Sequence, residues 1–119
     1  MDATSYVWTD VAEDNPIALL ARRKVYGEKM LVAQVSLTKG CHVAKHHHES
    51  EQISIHISGK LLWRIGDEGT PGYREQVIGG GEVLVLPSNT PHSVDTLEDA
   101  FLIDVLAPIG PMGVDSQKS

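Results

Sequence analysis

Three consecutive histidines, His46, His47 and His48, stand in a stretch patterned for β-structure, and a strand sends alternate side chains to opposite faces. His46 and His48 therefore point the same way and His47 points the other. Gln52 shares their parity and follows a turn expected at Glu49-Ser50, so a hairpin can return its amide oxygen to the same point. His92 follows the stiff turn Pro87-Ser88-Asn89-Thr90-Pro91, which can aim it there from another strand. Three imidazoles and one oxygen form a donor set for a divalent Ni, Fe, Zn, Mn or Cu ion, and affinity order alone does not choose among these. A histidine-rich surface loop explains residues 46–48 taken alone; His92 is what favours a metal site.

Glutamine is a neutral ligand and leaves the site formally dicationic, which favours an anionic substrate or intermediate. Such an ion acts as a Lewis acid that polarises a carbonyl or stabilises an enolate. The other reading keeps Gln52 as a hydrogen-bond partner of a histidine and leaves three histidine ligands.

Four further residues are candidates for chemistry. His56 shares the parity of Gln52, Ser54 and Ser58, opposite Ile53, Ile55 and Ile57, so it is a candidate acid or base or else an ordinary core or surface histidine. Asp104 interrupts the apolar run Phe101-Leu102-Ile103 and Val105-Leu106, where a buried carboxylate needs a partner, a wet cavity or a proton. Next to a metal it suits a general base, and on an edge strand it is a surface residue. Arg23 and Arg64 are candidates for gripping a substrate carboxylate with two parallel hydrogen bonds.

The elements that position these residues read as strands at 30–37, 43–48, 51–58, 60–65, 73–78, 82–86, 92–96 and 100–106, separated by glycine- and proline-containing turns. The expected class is all-β, a sandwich or barrel. Residues 12–21 fit a short helix after Asn15-Pro16 or an irregular segment. From Pro108 onward the chain has little to bury and is expected to be a flexible tail. The 119 residues suit one domain, 1–119, with a barrel core at about 28–107.

The net charge of −6 argues against nucleic acid or an anionic membrane as partner. No apolar run approaches the ~20 residues of a membrane-crossing helix. The single cysteine, Cys41, has no intrachain partner, and the N-terminus lacks the basic start and apolar run of a secretory signal, so a cytoplasmic protein is expected.

Gly40-x5-His46-x-His48-x3-Gln52-x6-Gly59 resembles the first motif of the cupin superfamily, with glutamine where glutamate is usual. Gly81-x5-Pro87-x-Asn89-x2-His92 resembles the second, with Asn89 where glycine is common and Thr96 where asparagine often ends the motif. The resemblance implies a single-domain jelly-roll barrel, the double-stranded β-helix, which is often a homodimer. More closely, His48 to Ser54, Arg23-Lys24, Ile65-Gly66-Asp67-Glu68 and Leu102-Ile103-Asp104 look like the small pectin-degradation cupins that linearise unsaturated uronates. In that family a metal held by His, His, Gln and His works with an aspartate that Asp104 matches. An arginine usual a few residues later is absent from Ala107-Pro108-Ile109-Gly110.

Three functions compete. One is a metal-dependent lyase or isomerase acting on a small anionic carbonyl or sugar-acid compound. A second is an Fe or Cu dioxygenase cleaving a dicarbonyl or aromatic compound. The third is a non-enzymatic small-molecule sensor or storage module.

Overall fold

The computed structural model describes residues 2–117. It is an all-β chain of eight strands: β1 (Glu13–Asp14), β2 (Leu20–Tyr26), β3 (Leu31–Leu37), β4 (His42–His46), β5 (Glu51–Ile65), β6 (Arg74–Gly79), β7 (Val83–Leu86) and β8 (His92–Ala107). The antiparallel order is β1-β2-β3-β8-β5-β6, with β4 added to β8 and β7 to β5.

The expected strand pairs 51–58 with 60–65 and 92–96 with 100–106 are each one long strand, and these two strands organise the molecule. The front of β8 pairs with β4 (Val94↔Val43, His92↔His46), while its rear pairs with β3 (Leu102↔Val35, Asp104↔Ala33). β5 splits in the same way, its front carrying β7 and its rear β6. The halves thus contribute to two opposed layers that close as a jelly-roll barrel.

Alternation is what fills it. Leu31, Ala33, Val35 and Leu37 of β3 point inward with Leu61, Trp63, Ile65, Leu84, Leu86, Leu102 and Leu106. Gly59 makes the passage from one half of β5 to the other possible. Its φ of +85° lies in the left-handed region, and a Cβ there would sit 2.2 Å from the Asp99 carbonyl oxygen.

Of the two readings of residues 12–21, the irregular one holds, apart from the short strand Glu13–Asp14 paired with β2 and the start of β2. Two expectations are corrected. β2 itself lies before the expected core boundary at about 28, so the barrel begins earlier. Finally, the segment after β8 has something to bury: Met112 and Val114 are core residues, and Gly113–Ser116 forms a 3₁₀ turn. Proline and glycine mask this apolar pair in the sequence. Among the described residues no helix is long and apolar enough to cross a membrane.

Candidate metal centre

The histidines converge because three different local structures deliver them. His46 ends β4 and is the register partner of His92, the first residue of β8, with ring centroids 4.2 Å apart. His48 lies beyond β4 in the loop. That loop is clamped to the 87–91 turn by the Asn89 amide, which donates to the His48 carbonyl at 2.8 Å. Asn89 has a φ of +62°, a left-handed conformation that asparagine tolerates better than most residues. His47, also beyond the end of β4, faces solvent.

Each of the three rings donates Nδ1–H to a backbone carbonyl, since a carbonyl can only accept: His46 to Ala44 at 2.9 Å, His48 to Ser50 at 2.9 Å, His92 to Thr90 at 2.8 Å. That tautomer leaves each Nε2 with a bare lone pair. One ring nitrogen from each lies within 4.8 Å of the others, a grouping that can hold a metal ion. Burial favours the neutral form of His92 and His46. Burial, helped by the neighbouring His46, His48 and His47, pushes His92 down to about 4, and burial also lowers His46.

Gln52 belongs to the same point. Its amide nitrogen donates to Ser54 Oγ at 2.9 Å, which turns Oε1 toward His48 Nε2, 3.1 Å away. Because His48 has committed its proton at Nδ1, this is a contact between two acceptors. Such a pair of acceptors is what a cation between them would satisfy, so Gln52 Oε1 could join the three histidines in holding one. The donor set therefore fits a divalent transition ion.

Asp104 lies one step further in, 5 % exposed and directly across the ladder from Ser54. Ser54 Oγ donates to Asp104 Oδ1 at 2.5 Å, so the carboxylate joins Gln52 through a single hydroxyl. Desolvation raises its pKa to about 6 against the opposing hydrogen bonds from Ser54 and Gln52. Asp104, Gln52, His46 and His92 line one cavity with Trp63, Arg22 and apolar residues.

The remaining expectations are placed elsewhere. His56 is buried on the inner face of β5, but its Nδ1 donates to the Ser54 carbonyl at 3.2 Å and its Nε2 accepts the Trp63 indole N–H at 3.0 Å. Burial lowers its pKa, both nitrogens are occupied, and it does not line the cavity. It orients Trp63. Arg23 pairs with Glu13 at 3.6 Å and Arg64 with Asp95, both away from the cavity lining. The arginine on the cavity wall is Arg22, one residue earlier, buried to 2 %. Even parity in β2 puts Leu20 and Arg22 inside, a signal legible only once 20–26 is known to be a strand.

The cupin domain model matches residues 33–106, more than half of the chain. The chain belongs to the cupin family. This cupin superposes on KdgF from Halomonas sp. with a TM-score of 0.78 at 20 % identity, covering 90 % of this chain and 96 % of that one. It also matches a tryptophan-to-tyrosine variant of oxalate decarboxylase from Bacillus subtilis, with a TM-score of 0.77 at 21 % identity over 91 % of this chain. A further Bacillus subtilis oxalate decarboxylase structure, concerned with its Mn(II) centres, gives 0.79 at 20 % over 94 % of this chain. The cupin spans only about a third of those decarboxylase chains, 31 % and 32 %. No curated protein sequence matches it significantly.

Proposed function

We propose that this cupin is an enzyme that holds one divalent ion with His46, His48, Gln52 and His92 and performs isomerisation, ring-opening or lyase chemistry on a small anionic carbonyl or sugar-acid compound. The observation that carries the reading is Asp104. A carboxylate inside a barrel is costly unless it has work to do, and this one is tied through Ser54 to the amide of Gln52. Held at about 6, it is an effective base near neutral pH. Asp104 takes the proton from the carbon beside a carbonyl, and Ser54 keeps its carboxylate oriented. When bound, a dicationic ion supplies Lewis-acid stabilisation of the enolate oxygen. His46, His48 and His92 remain fixed by their carbonyl partners throughout.

The sequence resemblance to pectin-degradation cupins and the likeness of fold to KdgF support unsaturated uronates as the first substrates to try. Manganese joins nickel, iron, zinc and copper among the ions to test, as the decarboxylase likeness suggests. The outer face of β5 and β7, with Ile57 51 % and Val83 59 % exposed, supports a homodimer.

The test is elemental analysis of untagged protein, followed by uronate and 1,3-dicarbonyl turnover with oxygen uptake recorded. Uronate loss without oxygen uptake, supported by redox-inert Zn²⁺, is the expected result. Oxygen uptake with a dicarbonyl would replace this reading with a dioxygenase, and absence of bound metal would end it.

A further inference from the structure

Among the described residues Arg22 is the only arginine or lysine on the cavity wall, and its bonding is uneven. Nε and Nη2 donate to Asp14 at 3.1 and 2.8 Å, and Nη2 also donates to Asp115 at 2.7 Å. Nη1 meets only the Met112 thioether sulfur, a weak acceptor, at 3.6 Å. One guanidinium thus carries two carboxylates, one more than its charge requires. Asp14 belongs to the sheet, whereas Asp115 lies in the segment that follows β8.

The same segment walls the metal site. Met112, Gly113 and Val114 line the cavity, and Gly113 lies so close to His46 that a Cβ would fall 1.8 Å from its Cδ2. The space beside Arg22 and Asp104 is about 50 Å³ and partly open to the surface. That accommodates a few water molecules and falls far short of the roughly 300 Å³ at which ligand pockets begin. His46 and His48 also border surface clefts, but a carbon skeleton reaches the space beside Arg22 and Asp104 only if a wall moves. The other walls are strands locked by ladders. Among the described residues, 110–117 makes no backbone-to-backbone hydrogen bond to the barrel. Side chains hold it instead: Met112 and Val114 in the core, Asp115 on Arg22, and the Gln117 amide on both backbone groups of Ala44, at 2.9 and 3.0 Å.

We propose that residues 110–117 are a gate over the metal-site cavity, latched by the Arg22–Asp115 ion pair, and that the carboxylate of the incoming ligand replaces Asp115 on Arg22. The idea rests on the proposed function, because it supplies the anchor that a small anionic substrate needs. The exchange is one carboxylate for another, so Arg22 never stands bare. Asp115 is about one-third exposed and moves into water at little cost. The ligand class is a small carboxylate whose carbonyl or second acid group faces the histidines.

The experiment uses Zn²⁺-loaded protein in a Trp8→Phe background, so that emission reports Trp63, buried on the cavity wall. Malonate is titrated by calorimetry, with malonamide as the uncharged control, and acrylamide quenching of Trp63 follows opening. Asp115→Asn should bind malonate about tenfold more tightly and quench more readily. Arg22→Met combined with Asp115→Asn strands no buried carboxylate on the gate. It should keep its zinc and melting behaviour yet lose the preference for malonate over malonamide. Unchanged or weaker malonate binding in Asp115→Asn would overturn the latch, and a preference retained without Arg22 would overturn the anchor. Neither readout requires turnover, so failure of the proposed chemistry would be separately visible.

Discussion

The front and rear halves of β5 bury opposite parities of the same strand. From Gln52 to His56 the even residues face inward, so glutamine, serine and histidine are buried while Ile53, Ile55 and Ile57 look outward. From Leu61 to Ile65 the odd residues face inward, and Leu61, Trp63 and Ile65 fill the core. Between them the register with β8 shifts repeatedly around Gly59. The rear obeys the ordinary rule of apolar inside, and the front inverts it. The inversion marks where the barrel buries polar groups, which are tolerable only when partnered: Gln52 donates to Ser54 and Ser54 to Asp104.

The sharpest way to test this division is Asp104→Asn. Turnover should fall by about 10²–10⁴-fold while metal content is retained, since general-base catalysis is worth that much. The same change should stabilise the metal-free protein above pH 6. Asp104 titrates at about 6 when folded and near its ordinary value of 3.8 when unfolded. The folded state therefore holds its proton more tightly, and stability falls as pH rises through that window. A shift of about two units corresponds to at most about 3 kcal/mol, which denaturant melts at pH 4 and pH 8 would read. A flat difference between those pH values would show that Asp104 is not strained.

Gly59→Ala attacks the switch between the halves. Positive φ and the collision with Asp99 should cost about 3 kcal/mol or more in urea melts. If that variant melts like the wild type, the corner is more yielding than its geometry indicates. Leu61→Ala in the rear half should cost about 2–5 kcal/mol, whereas Ile57→Ala, on the same strand but half-exposed, should cost under about 0.5 in the monomer. A larger loss at Ile57 that grows with protein concentration would mean that a second copy covers the outer face. Smallest in the monomer is Ile55→Lys, which should leave metal content unchanged and lower the mass seen by light scattering if that face joins two copies.

Much of the metal centre is legible in the sequence because its signals are local. His46 and His48 at spacing two and a histidine behind a proline-bounded turn are visible without the fold, although His48 joins the group from the loop after β4 and not by strand parity. Asp104 is legible as an anomaly, a carboxylate in an apolar run. What escapes depends on distant partners. His56 has the right parity, and only the fold reveals that Trp63, across the corner of β5, takes its free nitrogen. Arg22 does not stand out from Arg23 because β2 carries mixed polar residues and no clean alternation, so its inward face has no signature. The packing of 108–117 is hidden because two buried apolar residues among prolines and glycines are too few to make a pattern.

That last segment has a consequence for how the site could be taken apart. All four proposed metal ligands and every strand precede it in the chain, and Met112, Gly113 and Val114 wall the site from one side only. The ligand-bearing strands and this wall are therefore separable: a chain shortened after β8 should keep its strand ladders and its histidine grouping, and exchange a bound ion faster than the full chain does.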